Sequence, residues 1–199
     1  MAATASILAP RTNDTVSASN VVITTSYEDF SGQTLTGTIA GMSDTAVTPT
    51  GTDVHVGSSI TGVPTGSQDV KVLIDNAVEN TQTGVIVSSD QLPVPIEEPL
   101  EPATFKEAKK KFQVQGKKVP DGSAAAYVVC QAIEINTATH ASNVVAAGAG
   151  NVEEDKKWKV TLEFDINDAA GIQYVVSASA FDKNQNFLGK QTVFAKKKK

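Results

Sequence analysis

The stretch from Leu92 to Pro102, LPVPIEEPLEP, constrains the fold of this chain more than any other. It holds four of the eight prolines and three glutamates. Proline fixes φ and has no backbone N–H to donate, so this stretch is excluded from a helix interior and from a central strand. Repulsion between the glutamates extends it further. The sequence therefore predicts a semi-rigid linker, residues 92–102, between two domains.

The charge differs on the two sides of this linker. Residues 1–92 carry 2 basic and 9 acidic side chains, a net charge of −7, whereas residues 103–199 carry 15 basic and 10 acidic side chains, a net charge of +5. An acidic first half and a basic second half can orient the molecule on a charged surface or against another copy. The alternative is that two solvated surfaces simply differ in sign.

Both halves are predicted to be β-structure. The clearest strand is Trp158–Ile166, where apolar residues alternate with Lys, Thr, Glu and Asp, so that one face is buried and the other is solvated. Other short apolar runs are separated by clusters of Gly, Pro, Asn and Asp, which is typical of sandwiches and barrels. We predict an all-β chain with an N-terminal arm (1–16), an acidic β-sandwich (17–91), the linker and a basic β-sandwich (103–199). A short helix is possible at Thr104–Phe112, because Phe105, Ala108 and Phe112 have helical spacing.

The ends of the two predicted domains share one sequence pattern. Gly66 and Gly84 are eighteen residues apart, as are Gly171 and Gly189, and each pair encloses a strand, a polar turn and the start of a second strand. Both segments resemble the closing strand pair of bacterial and phage immunoglobulin-like domains. Tyr174 stands where such domains often place a tyrosine corner; the first domain departs from this, with Asp69 at the equivalent position. The resemblance implies two tandem immunoglobulin-like β-sandwiches, a scaffold without an implied activity.

Histidine and cysteine residues, which are common in catalytic and metal sites, are few and lie far apart in the sequence. His55 lies in a short predicted strand and His140 in a polar stretch, and we interpret both as surface residues, because metal and nucleophile sites need converging partners. Cys130 lies in an apolar strand and is interpreted as a small buried hydrophobe; as a lone cysteine it fits folding in a cytoplasm. We predict no catalytic residues, no metal site and no cofactor.

Asp182–Asn186, DKNQN, has the spacing that opens some calcium loops. Phe187 stands where such loops need glycine, and Val193 where they need a bidentate glutamate. A hairpin in which Asp and Asn side chains satisfy the turn backbone explains the same residues, and we favour it.

The basic half holds three lysine runs, Lys109–Lys111, Lys117–Lys118 and Lys196–Lys199. The chain has a single arginine, Arg11, and these runs are not paired with exposed aromatic ladders. This pattern favours a solubilising or surface-docking role over nucleic-acid binding. The N-terminus has neither the basic nor the apolar region of a secretory signal, and no apolar run is long enough to span a membrane.

These observations predict a non-enzymatic virion protein, assembled in a host cytoplasm in multiple copies. The predicted role is a phage capsid decoration or cement protein, or a tail or fibre component, that binds the major capsid protein or another virion protein. Docking is expected through the arm and the basic domain. The alternatives are a cell-surface adhesion or carbohydrate-binding module and, less favoured, a small hydrolase. The predicted docking residues are Ile7, Leu8, Arg11, Lys109, Lys110, Lys111, Lys117 and Lys118.

Overall fold

The computed structural model describes residues 2–89, 111–116, 119–120, 122–167 and 169–195. The linker 92–102 predicted from the sequence lies outside these residues, as does most of the predicted helix. Lys111 and Phe112, at the end of that predicted helix, are instead the first residues of a strand. The described residues form strands, turns and loops, and none of them lies in a helix of the length and apolarity that a membrane crossing needs.

The chain divides into two compact units. The first comprises Met1–Asp90 together with Asn136–Ala141, and the second comprises Gln91–Ile135 and Ser142–Lys199. The strands of the first unit are β1 (Thr4–Ala9), β2 (Thr15–Ser17), β3 (Thr24–Ser31), β4 (Leu35–Ile39), β5 (Met42–Ser43), β6 (Thr50–Val56), β7 (Gly66–Ile74) and β8 (Ala77–Ser88).

The strands of the first unit form two sheets, with the orders β1-β3-β6 and β2-β8-β7-β4-β5. All pairs are antiparallel except β2 with β8, which run parallel. In the lettering of immunoglobulin domains, β1, β3 and β6 correspond to strands A, B and E of one sheet. The other sheet places β4, β7 and β8 side by side, as those domains place strands C, F and G. The first unit is an immunoglobulin-like β-sandwich. Its core contains Ala5, Ile7, Val21, Ile23, Tyr27, Phe30, Leu35, Ile39, Ile60, Val63, Val70, Val72, Val85 and Val87.

Residues 1–16 do not form a free arm, which corrects the prediction from the sequence. They supply β1, which pairs with β3, and the start of β2, which pairs with β8. Five of the six residues of β1 are buried. In TASILA, Ala5 and Ile7 face the core, and Ser6 and Leu8 on the opposite face are covered as well. A strand covered on both faces does not need to alternate apolar and polar residues, so periodicity gave no strand signal.

The buried serine is covered by a turn from much later in the chain. The turn Asn136–Ala141 belongs to the first unit, and Ser6 Oγ donates a hydrogen bond to the carbonyl oxygen of Thr137 at 2.9 Å. The hydroxyl of Thr137 in turn donates to the Glu28 carboxylate. Ser6 and Thr137 are each 1% exposed, so these bonds satisfy polar groups that are buried in the first unit.

The strands of the second unit are β9 (Lys111–Gly116), β10 (Ala125–Asn136), β11 (Ser142–Asn151), β12 (Trp158–Glu163), β13 (Ile172–Asp182) and β14 (Phe187–Ala195). They form a four-stranded sheet, β11-β10-β13-β14, and a two-stranded sheet, β12-β9. The alternation predicted for Trp158–Ile166 is confirmed over β12, since Trp158, Val160 and Leu162 are buried and the residues between them are exposed. The strand ends at Glu163, three residues earlier than predicted. Both predicted closing hairpins, β7–β8 and β13–β14, are present.

The core of the second unit is built around Trp158. The indole lies directly over Gly116 of β9, where an added methyl group would come within 1.8 Å of Trp158 Nε1. Glycine at this position is therefore a packing requirement. The core contains Val114, Val119, Val128, Cys130, Ala132, Trp158, Val160, Leu162, Ile172, Tyr174, Val176, Ala178, Ala180 and Ala195.

Tyr174 forms the corner that the resemblance implied. Its hydroxyl accepts a hydrogen bond from the backbone N–H of Asn167, seven residues earlier, at 2.7 Å, and donates to Glu134 Oε2 at 2.8 Å. A buried tyrosine near the start of this strand, bonded to the backbone before it, is characteristic of immunoglobulin-like sandwiches. The second unit is thus also immunoglobulin-like.

Replacing Tyr174 with Phe is expected to lower the free energy of unfolding of the second unit by about 1–3 kcal/mol, because the Asn167 N–H and the Glu134 carboxylate both lose a partner. Urea unfolding followed by Trp158 fluorescence measures this. Tyr127→Phe is the matched control and should change stability by less than about 0.5 kcal/mol. Equal effects of the two substitutions would contradict the corner's role.

Candidate docking surface

Three of the predicted docking residues, Ile7, Leu8 and Arg11, are buried in the first unit or bonded to other residues of it. Ile7 and Leu8 are 1% and 0% exposed in β1, so the prediction that they contact a partner is corrected. Arg11 follows β1, and its Nη1 donates to the carbonyl oxygen of Ile7 at 3.1 Å while its backbone N–H donates to Asp14 Oδ2 at 2.7 Å. Burial lowers the pKa of Arg11, and Asp14 opposes that shift. Arg11 therefore closes the turn between β1 and β2.

The structure does not test the predicted docking lysines. Lys109, Lys110, Lys117 and Lys118 lie outside the described residues, and Lys111 is the first residue of β9. Their part in docking stays a prediction.

The second unit carries an aromatic cluster that the sequence analysis did not predict. Tyr127 of β10 and Phe181 of β13 are stacked, with ring centroids 5.3 Å apart and an interplanar angle of 11°. Phe187 of β14 meets Phe181 edge to face at 5.8 Å. Tyr127 and Phe181 are half-buried, and Phe187 is 50% exposed. We call these three residues the aromatic cluster.

The turn that presents Phe187 is fixed by Asp182. Its Oδ1 accepts from the backbone N–H groups of Asn184 and Asn186 at 2.8 and 2.9 Å, and its Oδ2 accepts from Asn186 Nδ2 at 2.9 Å. These bonds, first the one from the Asn186 side chain, lower the pKa of Asp182. The favoured interpretation of DKNQN as a hairpin satisfied by its own side chains is confirmed, because both carboxylate oxygens are used within the turn.

The aromatic cluster is a partly exposed apolar group held in place by its own contacts. Aromatic side chains bring a large contact area and lose little conformational entropy on binding, especially when neighbouring rings already restrain them. Here Phe187 packs on Phe181, which packs on Tyr127, and the turn before Phe187 is closed by side-chain hydrogen bonds. The cluster is therefore preorganised, which lowers the cost of binding.

The sequence does hold a signal for this cluster. Phe181 and Phe187 flank the polar turn, so a hairpin that places them on adjacent strands also brings them together. Tyr127 could not be included, because it comes from β10, which lies next to β13 only in the folded sheet.

His140 and Cys130 each have a specific environment. His140 Nδ1 lies 2.5 Å from Ser6 Oγ, and its Nε2 lies 3.9 Å from Glu79 Oε1. Ser6 is buried and its hydroxyl donates to a backbone carbonyl, so this arrangement does not present a serine nucleophile to solvent. Cys130 is buried, and burial raises its pKa to about 12, in agreement with its interpretation as a small hydrophobe.

Comparison with known proteins gave structural likenesses alone. No family model and no curated protein sequence matches the chain. The fibronectin(III)-like modules of CbhA from Clostridium thermocellum are 14% identical, with 97% of this chain and 94% of that chain covered and a TM-score of 0.34. The adhesin InvE from Yersinia pseudotuberculosis is 13% identical, with 96% and 58% covered and a TM-score of 0.30. The BSP domain of a biofilm associated protein is 16% identical, with 92% and 28% covered and a TM-score of 0.33.

The chain spans little more than half of InvE and less than a third of the biofilm associated protein. At such low identities and TM-scores these likenesses carry no argument about function. The assignment of both units to immunoglobulin-like sandwiches rests on strand order, the two cores and the Tyr174 corner.

Proposed function

We propose that this chain is a non-enzymatic structural protein that docks on a protein assembly through the aromatic cluster of its second unit. The observation that carries this proposal is the half-exposed ring of Phe187, held against Phe181 on a closed turn. An apolar ring fixed at the surface costs solvation in the free protein, and a partner that covers it recovers this free energy.

The ring geometry favours a protein partner over a sugar. A carbohydrate platform presents flat ring faces to solvent. In the aromatic cluster, Tyr127 and Phe181 turn one face toward each other, and Phe187 stands at 65° to Phe181. Of the three rings Phe187 is the exposed one, so the cluster offers a single apolar side chain rather than a row of flat faces, and this suits a pocket between side chains of a partner protein.

We further propose that the assembly is a phage particle and that the chain is a capsid decoration or cement protein, with a tail or fibre position second. In this proposal many copies bind the major capsid protein or another virion protein. The support is the sequence: two tandem sandwiches rich in Ser, Thr and Val, which resemble bacterial and phage immunoglobulin-like domains, and a basic second half that suits an acidic shell.

A carbohydrate-binding or adhesion module is the second candidate. The observation that favours it is that exposed amide side chains, Asn184 and Gln185, lie in the turn directly before Phe187, since amides beside an aromatic ring suit sugar hydroxyls.

Phe187→Asp is expected to weaken binding to particles stripped of this protein by about 30-fold or more, the loss of a hot-spot residue worth at least about 2 kcal/mol. Co-sedimentation with the particles measures it. Val144→Asp is the matched control, because Val144 is 54% exposed on β11, at the opposite edge of the same sheet, and should bind as the unmodified protein does. Unchanged binding of Phe187→Asp would overturn the docking site. Binding to a glycan array that Phe187→Asp abolishes would favour the second candidate.

A further inference from the structure

One edge of the four-stranded sheet in the second unit is open for pairing with another strand. In the part of the chain that the structure describes, β11 has β10 as its single hydrogen-bonded neighbour. Val145 is the extra residue of a bulge in β11, and a bulge bends the strand and interrupts its edge. The regular part of the edge is therefore Ala146–Asn151, which we call the open edge.

The hydrogen bonds between β10 and β11 show which backbone groups of the open edge point outward. The Val152 N–H donates to the Ala126 carbonyl oxygen at 2.9 Å, so these two residues form a hydrogen-bonded pair. Bonded and non-bonded pairs alternate along an antiparallel ladder. Asn151, Ala149 and Ala147 therefore form non-bonded pairs with β10, and their N–H and C=O groups point away from it.

The open edge is supported from its inner face. Gly148 and Gly150 lie against the backbone of β12, where a methyl group added at Gly150 would collide with the Lys159 carbonyl oxygen. The three residues with outward backbone groups are themselves exposed. The donors and acceptors of the open edge are thus fixed in a strand before any partner arrives, which lowers the cost of binding.

The two edge strands of the sheet β1-β3-β6 are protected, in contrast to the open edge. In β1, the Ile7 N–H donates to Asn80 Oδ1 at 3.2 Å, and the Ile7 carbonyl oxygen accepts from Arg11. In β6, the Val54 N–H donates to Asp53 Oδ1 at 2.8 Å. Charged side chains, bulges and prolines on an edge discourage pairing with another chain. The open edge contains no charged residue and no proline, so its own side chains do not discourage pairing.

We propose that the open edge pairs antiparallel with the open edge of a second copy of this chain, around a two-fold axis at Ala149. In this register Ala149 faces Ala149, and Ala147 faces Asn151, so that outward N–H and C=O groups meet and about six hydrogen bonds form. A two-fold pair sets like residues close together, and facing like charges destabilise a strand pair. An edge without charges therefore suits a second copy of itself.

This pairing goes beyond the proposed docking through the aromatic cluster and does not depend on it. Phe187 lies on β14, which is the last strand of the sheet, whereas the open edge lies on β11, the first. The two surfaces can therefore be tested by separate substitutions.

Sedimentation equilibrium of the full chain tests the pairing, and we expect a reversible dimer at concentrations below about 1 mM, because one strand pair buries less area than a tight interface needs. Ala149→Lys and Ala149→Asp each place two like charges face to face at the axis, and each should weaken the association by about tenfold or more. Both variants should keep the Trp158 fluorescence of the unmodified protein, since the side chain at position 149 is exposed.

An equimolar mixture of the two variants separates pairing from damage to the fold. The introduced positive charge of one copy then faces the introduced negative charge of the other, so the mixture should associate at least as well as the unmodified chain. Ser67→Lys, at an exposed position of β7 in the first unit, is the matched control for the added charge and should associate as the unmodified chain does. Phe187→Asp should also leave the association unchanged, which distinguishes a failure of this pairing from a failure of the docking surface.

Three results would overturn the proposal. The first is a chain that remains monomeric up to about 1 mM. The second is an association that neither substitution of Ala149 weakens. The third is a mixture of the two variants that stays as weakly associated as each variant alone, which would assign the open edge to an occupant other than a second copy.

Discussion

Removal of residues 1–16 is expected to unfold the first unit rather than to leave a folded protein without an arm. The deletion takes away β1, with the buried side chains of Ile7 and Leu8, and the hydrogen bonds of β1 to β3. Burial of each aliphatic side chain stabilises by about 1.5–3 kcal/mol. Two of them already approach the total stability of a small domain, about 5–15 kcal/mol.

The two units can be followed separately in this experiment. The single tryptophan, Trp158, lies in the second unit, so its fluorescence reports the unfolding of that unit, whereas far-UV circular dichroism reports both. In the chain without residues 1–16, the second unit should still unfold in a transition seen by both fluorescence and circular dichroism. The part of the dichroism transition that comes from the first unit should be absent. A chain lacking residues 1–3 is the matched control, since β1 begins at Thr4, and should unfold as the intact protein does. A shortened chain that retains both transitions would restore the interpretation of residues 1–16 as an arm.

Trp158→Ala is expected to lower the free energy of unfolding of the second unit by about 3–5 kcal/mol. Trp158 is 2% exposed and is the largest side chain of that core, and truncating a buried aromatic residue leaves a cavity that neighbouring strands fill incompletely. Because the substitution removes the fluorophore, unfolding is followed by the reactivity of the Cys130 thiol, which is buried in the same core.

Gly116 provides a second test of the same packing. Gly116→Ala should destabilise the intact protein, because the new methyl group would lie 1.8 Å from Trp158 Nε1. In the Trp158→Ala background the methyl has room, so the cost of the double substitution should be less than the sum of the two single costs. Val144→Ala, at an exposed position, should change stability by less than about 0.5 kcal/mol. Additive costs would show that the indole does not lie over Gly116.

The parts of the fold that were predicted correctly depend on local patterns. The alternation in β12 marks Trp158, Val160 and Leu162 as buried, since successive side chains of a strand point to opposite faces. The closing hairpins were predicted from glycines and polar turn residues, whose backbone preferences act within a few positions. The Tyr174 corner was implied by the resemblance and is present.

For two of the predicted docking residues, Ile7 and Leu8, the local argument failed. Ile7 and Leu8 stand in a polar N-terminal segment without alternation, which suggested a loose arm, yet they are buried in β1. The aromatic cluster was not predicted, because it depends on which strands are neighbours in the folded sheet. Tyr127 and Phe181 were assigned to strands, and a strand assignment alone does not say which face another element covers.

By itself, the sequence determined that this protein is built from β-strands, where its closing hairpins turn and which side chains of β12 enter a core, because periodicity and turn chemistry are properties of neighbouring residues. The folded structure alone decided that Ser6 bonds to Thr137, 131 residues away, and that Tyr127 stacks on Phe181. Such contacts form because each group gains a partner that satisfies its polar atoms or covers its apolar surface, and no local pattern specifies a partner so distant in the chain.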